Sequence, residues 1–383
     1  MKRLKHLQLA LIAALIFASA TTTGQERYYL LTEVKEVKTA KTKDQKRVGS
    51  CWSNAGTAFL EAEWIRTGKQ PVDISTMDFT HNVYLKKADM FLNSDGELRV
   101  DPMGMAYDVI MLVEEYGMVP ESAYMYPTED MTTREKQGEM DAILRGTLNM
   151  IQQRGEGFTE RWQNVYNTSL LRYMGESMIE FSFNEATYTP ETFATASGLS
   201  MDDYILLTSD KQADMYARVK PGLRENWAGH EFYNVPFGNF TDAIKNNIEQ
   251  GYTVVWYGVI DGSQVFNDEK MAIVPVGDLP GDEVSDEDED APEPEYKPLT
   301  EKSISSELRT EVYEAGLEKE QDYLLIYGIK TDQEGNTYFA AKYVCKTGDK
   351  KLNLSKSFVD LNTVFLMMNK NGLSADMKSK LGI

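Results

Sequence analysis

The run Asp44-Gln45-Lys46-Arg47-Val48-Gly49-Ser50-Cys51-Trp52-Ser53 constrains this chain more than any other stretch. A polar approach ends in a Gly-Ser turn, and a helical pattern starts directly behind it, so Cys51 falls at the head of a helix. Free N–H groups and the helix dipole stabilise negative charge there and favour thiolate over thiol. Gln45, six residues upstream, can bring a side-chain N–H beside the backbone N–H of Cys51 to form an oxyanion hole. Cys51 and Gln45 are therefore the candidate catalytic residues. A thiol nucleophile also needs an imidazole to take its proton and return it to the leaving group. The chain has three histidines, His6, His81 and His230. His6 lies in a segment that reads as removed.

That segment is residues 1–24. Lys2, Arg3 and Lys5 precede the apolar run Leu7–Ala18, which is too short to span a bilayer, and small residues follow. No cysteine stands near the cleavage region to carry a lipid. The expectation is an exported protein, periplasmic or extracellular, with no membrane anchor. The remaining 25–383, roughly 360 residues, suffice for one large domain with insertions or for two domains. A formal charge of −20 argues against nucleic acid and against anionic membranes. Two cysteines, Cys51 and Cys345, make no disulfide framework. The reading is two unpaired thiols; a bridge between them is the minor alternative, and it would mask the nucleophile.

Tyr28–Val37 reads as extended. Helical patterns follow over Ser53–Thr67, with Gly68 as a stop, through Met77–Leu92, and over Tyr107–Tyr116. Met131–Phe181 looks mostly helical, Met201–Pro236 loop-rich, and Phe240–Glu249 helical again. Gly251–Ile260 is the strongest core strand. Asp278–Pro298, with five consecutive acids at Asp286–Asp290, reads as a solvated loop rather than a calcium site. Tyr323–Lys330 and Thr337–Val344 flank Asp332-Gln333-Glu334-Gly335-Asn336 as a β-hairpin. The spacing of His and Cys gives no metal site, and no cofactor is expected.

These segments resemble one family, the bleomycin hydrolase and aminopeptidase C branch of the papain-like cysteine peptidases. The resemblance runs through Gln45 and Gly49–Ser53, Tyr84-Leu85-Lys86-Lys87-Ala88-Asp89, and Tyr116-Gly117-Met118-Val119-Pro120-Glu121. It continues in Tyr188-Thr189-Pro190, Phe232-Tyr233-Asn234-Val235-Pro236, Gly251–Trp256, and Met368–Gly372 to Ile383. It implies a papain-like α+β fold: a helical subdomain from the Cys51 helix, an antiparallel β subdomain with the C-terminal hairpin, and a cleft between. A helical insertion falls at about 131–181 and the acidic loop at about 278–298.

In that family the catalytic His opens one strand of the hairpin, and the Asn that orients it sits on the returning strand. Aligned through Ile326, Gly328 and Lys342, the His position here holds Asp322 and the Asn position Tyr343. Both lie at similar distances from the turn and should be near neighbours across the ladder. Pro102-Met103-Gly104-Met105 replaces a family Gly-Gly, Asp210–Asp214 replaces a His-His-Pro stretch, and Asn54 stands where an aromatic is usual.

A carboxylate at the base position disfavours the thiolate that catalysis needs. His81 and His230 show no partner in the sequence and read as structural. The expectation is an exported homologue of cysteine aminopeptidases that is catalytically impaired and keeps a cleft for peptide or protein. The alternative is an active thiol protease, a hydrolase using Cys51 with a relocated base. A third reading is a structural secreted protein contacting a partner through its acidic loop. Members of that family often assemble into closed rings, so the resemblance leaves room for a homo-oligomer.

Overall fold

The computed structural model describes residues 28–43, 50–94, 98–127, 134–154, 159, 161–279, 297–316, 321–345 and 350–383. Residues 1–24, Gln45 and most of the acidic stretch lie outside these ranges. Helix α1 (Cys51–Arg66) forms directly behind Ser50 and is buried on almost every side, through Trp52, Ala55, Phe59, Leu60 and Trp64. A helix enclosed all round is the centre of a core rather than its cover. It ends at Thr67, with Gly68 following at φ +85°.

Around α1 stand α2 (Thr76–Asn93), α3 (Asp108–Tyr116), α4 (Arg134–Arg154), α5 (Arg161–Met174) and α6 (Pro190–Ala196). Gly117 ends α3 at φ +77°, and a Cβ there would sit 2.3 Å from the Pro190 carbonyl carbon. Only glycine lets α6 start against α3. The pair α4 and α5 packs on α2 through Met140, Leu144, Leu148, Tyr166 and Leu170 against Tyr84 and Phe91. Four more helices follow: α7 (Phe240–Glu249), α8 (Ser306–Gly316), α9 (Lys356–Asn362) and α10 (Ala375–Leu381). No helix among the described residues is long and apolar enough to cross a membrane.

The strands begin with β1 (Thr32–Glu36). Two small pairs follow, β2 (Tyr124–Met125) with β3 (Glu176–Ser177), and β4 (Phe181–Phe183) with β5 (Ala186–Tyr188). Next come β6 (Tyr204–Thr208), β7 (Arg218–Val219), β8 (Phe232–Asn234), β9 (Val254–Gly258), β10 (Val265–Phe266) and β11 (Met271–Ala272). The last are β12 (Asp322–Thr331), β13 (Thr337–Tyr343), β14 (Lys351–Leu354) and β15 (Thr363–Asn369). The main sheet has eleven strands among the described residues, in the order β10-β11-β14-β13-β12-β9-β15-β6-β8-β7, with β1 also on β12.

This sheet is mixed, which corrects the expectation of an antiparallel β subdomain. β11 pairs parallel to β14, and β6 parallel to β8. In both cases the intervening chain is long enough for the crossover that parallel strands require.

The central strands separate two cores by simple alternation. Val255 and Tyr257 face α1 with Leu325 and Phe365, while Val254 and Trp256 face α7 and α9 with Leu324 and Phe358. Strands covered on both faces read as unbroken apolar runs, as Thr363-Val364-Phe365-Leu366-Met367-Met368 does. The architecture is α+β, with a helical subdomain laid against a large mixed sheet. The reading of Met201–Pro236 as loop-rich passed over β6, all five residues of which are buried.

Candidate functional site

Cys51 is the first residue of α1, as the Gly-Ser turn implies, but it is not free. β13 ends at Tyr343, and two residues later Cys345 reaches the head of α1, where the two sulfurs are bonded. The Cα atoms lie 5.4 Å apart across 294 residues of sequence, within ordinary bridging distance. A second tie supports this seat. The buried Asn54 amide, one turn into the helix, donates from Nδ2 to the Val344 carbonyl at 3.2 Å. The small polar side chain at 54 lets the strand end settle on the helix.

The bridge corrects the reading of two unpaired thiols. A sulfur in a disulfide is no nucleophile, because attack on a carbonyl requires the thiolate. The thiol-protease and hydrolase readings fall with it. So does the relocated-base alternative, which needs the same sulfur. Sequence could not show this, since it gives no distance between residues 51 and 345. Gln45 lies outside the described residues.

Trp52 turns inward, and its Nε1 donates to the Pro102 carbonyl at 2.7 Å. The turn at 101–105 is anchored from below by Lys87, only 2% exposed. Its ammonium donates to Asp101 Oδ1 at 3.0 Å, to the Asp101 carbonyl at 3.1 Å and to the Met103 carbonyl. Burial lowers the Lys87 pKa and the Asp101 carboxylate opposes that shift. At Gly104 a Cβ would stand 2.6 Å from Asp108 Oδ2 and 3.0 Å from the Trp52 ring. The one glycine kept from the expected Gly-Gly thus makes room for protein, not for a substrate backbone.

Asp108, at the first position of α3, is fully buried and gathers three partners. Its Oδ2 accepts from the Met105 N–H at 2.8 Å and from Trp227 Nε1 at 2.7 Å. Its Oδ1 lies 2.6 Å from His230 Nε2. The Tyr107 ring meets the imidazole edge-on at 5.0 Å between centroids. Asn226 closes the loop on itself, accepting from the His230 N–H at 2.8 Å and donating to the His230 carbonyl at 3.0 Å. Leu223 is buried in the core that contains Trp52, and Trp227 packs against the same core. Residues 223–230 therefore strap the seam between helices and sheet. The reading of His230 as partnerless is corrected by a carboxylate far away in sequence.

On the sheet side, Asp322 is the first residue of β12 and pairs with Gly258 of β9. Tyr343 pairs with Leu324, so it stands two residues out of register with Asp322 and meets it diagonally. Burial, and then the Asp322 carboxylate, push the Tyr343 hydroxyl up to about 12. On the opposite face of the sheet from Tyr343, towards α1, the rings of Tyr257, Tyr323 and Phe365 cluster, with centroids 4.4 Å apart for Tyr257–Tyr323 and 4.6 Å for Tyr257–Phe365. Burial raises both tyrosine hydroxyls well above their ordinary value, with the Glu225 carboxylate of the strap adding to it.

His81, on α2, is a different case. Its Nε2 is buried without a hydrogen-bond partner among the described residues, and burial holds its pKa down to about 4.

No family model and no curated protein matches the chain. The solved structure of pepW from Lactobacillus rhamnosis HN001 is similar to it, with a TM-score of 0.66 at 14% identity over 92% of this chain and 84% of that one. The digestive procathepsin L 3 of Tenebrio molitor larval midgut aligns over 89% of this chain and 71% of that one, at 12% identity and a TM-score of 0.33. At such identities a likeness speaks for the fold alone. What the chain shares with pepW is therefore an overall α+β fold, helical core against mixed sheet, and here the cysteine heading the central helix is closed in a disulfide.

Proposed function

We propose that this chain is an exported, thiol-silent relative of the bleomycin hydrolase and aminopeptidase C branch that binds a peptide or protein segment along the seam. The Cys51–Cys345 disulfide carries the reading. It occupies the sulfur on which turnover would depend, and it suits an oxidising compartment, in keeping with the signal-like residues 1–24. The acidic Asp322 and bulky Tyr343 in place of a base and its orienting amide agree with it. Beside the strap, Met103 is 37% exposed and Trp227 half-buried, an apolar rim for a partner. The reading takes 25–383 as one domain with an insertion at about 131–181, assembled as a homo-oligomer.

Intact mass after iodoacetamide treatment tests the sulfur: no adduct is expected before reduction and two after it. Adduct formation without reductant, or hydrolysis of aminoacyl coumarin amides by the unreduced protein, would refute the silent site. Retention of a random-peptide pool on the immobilised protein tests the binding half. A pool that passes through unretained removes it.

A further inference from the structure

Away from the seam, one buried cation has few hydrogen-bond partners among the described residues. Arg309 lies in the first turn of α8 and is 3% exposed. Its Nη2 donates to the Thr363 carbonyl, while its Nε is buried with no hydrogen-bond partner among the described residues. A guanidinium carries five N–H donors. Asp360 lies in its field; its Oδ2 accepts from Lys356 Nζ at 2.5 Å, its Oδ1 is buried without a hydrogen-bond partner among the described residues, and it forms no ion pair with Arg309 among them. The Tyr313 ring lies under the guanidinium at 4.9 Å, which covers its face but accepts none of its in-plane hydrogen bonds. Burying a charge in this state is costly unless something completes it. Burial lowers the Arg309 pKa to about 10, which leaves it a cation at neutral pH.

Arg309 and Tyr313 line a cavity of about 310 Å³, with Met215 and Phe237 as apolar wall and Asp210 and Glu314 as further lining. That volume suits a small organic molecule. Lys211 also lines the cavity but is paired with Glu307 at 3.7 Å, so the two carboxylates, with a formal chain charge of −20, disfavour negative charge beyond the one Arg309 neutralises. We propose that this cavity binds a small organic monocarboxylate, its carboxylate on Arg309 and its apolar body against Met215 and Phe237. The proposal is independent of the seam and its disulfide.

Titration calorimetry on the full chain tests it with phenylacetate, its neutral isostere phenylacetamide and inorganic phosphate. Phenylacetate is expected to bind, and the amide to bind about tenfold more weakly or worse, the worth of one charge-assisted hydrogen bond. Arg309→Gln is expected to abolish binding. Met215→Trp fills the cavity from its exposed wall and leaves Arg309 in place, so it reports on the site even where the arginine variant fails to fold. It too should abolish binding, with the far-ultraviolet spectrum unchanged. Equal binding of acid and amide, binding that survives Met215→Trp, phosphate bound in preference to phenylacetate, or no binding of phenylacetate each overturns the proposal.

Discussion

Trp227 reaches Asp108 across 119 residues of sequence, its Nε1 donating to Oδ2 at 2.7 Å. With His230 on the other oxygen, this one carboxylate fastens the strap at 223–230 to the head of α3. Asp108→Ala removes the acceptor of three donors at once, Met105 N–H, Trp227 Nε1 and His230 Nε2. Loss of one partner from such a buried charged network costs about 3–5 kcal/mol. Urea unfolding should show that loss, and hydrogen exchange should show 223–230 losing protection before α1 does. Unchanged exchange in the strap would mean that other contacts hold it.

The disulfide ties the head of the central helix to the end of a sheet strand. Cys345→Ser is expected to lower stability by about 2–5 kcal/mol, the usual range for loss of a native bridge. The comparison is between urea midpoints of wild type and variant without reductant. With reductant the difference should shrink toward zero. A difference that persists would point to packing of the serine, not to the lost bridge.

Buried Asp78 and half-buried His81, one turn apart on α2, pull the pH dependence in opposite directions. Burial pushes the Asp78 carboxyl up to about 6 from its ordinary 3.8, against hydrogen bonds from Ser177 and Asn82. Burial holds His81 down to about 4 from its ordinary 6.5. Asp78 binds its proton more readily in the folded state, so its contribution to stability is present in acid and lost as pH rises through about 6. His81 binds its proton more readily in the unfolded state, so its contribution is present above about 6.5 and lost as pH falls toward 4. Each effect amounts to about 2–3 kcal/mol across its window. Relative to wild type, Asp78→Asn should lose stability on acidification from about pH 7 to about pH 4.5, and His81→Leu should gain it. Urea midpoints at the two pH values decide the matter; shifts of the same sign in both variants would contradict it.

Gly104→Ala puts a methyl group 2.6 Å from Asp108 Oδ2 and 3.0 Å from the Trp52 ring. Both neighbours are fixed by their own hydrogen bonds, so the expected cost is about 1–3 kcal/mol. Trp fluorescence should shift as well, since both Trp52 and Trp227 border the affected carboxylate. A variant with wild-type stability and spectrum would show that the turn has room to give.

Local signals were legible where a few adjacent residues decide the outcome. The Gly-Ser turn before Cys51 gave the helix start. Phe240–Glu249 is a helix as its spacing implies, and the loop containing Gly335, at φ +85°, joins β12 to β13 in the expected hairpin. What stayed hidden depends on distance through space. Nothing beside Cys345 announces Cys51. Asp108 looks like an ordinary first-turn acid until Trp227 and His230 arrive from another part of the chain. The strand Tyr204–Thr208 is hidden in the sequence because, buried on both faces, it shows no alternation to set it apart from an apolar loop. The Asp322–Tyr343 neighbourhood was half visible: the hairpin places the two close, while the bulge between Ile326 and Gly328 sets their offset.

One bond between residues 51 and 345 also makes most of this polypeptide a closed circle. A protease that severs a single peptide bond inside that circle cannot divide the molecule. The nicked protein would keep its full mass, and its two pieces would part on a gel only once a reducing agent opened the ring.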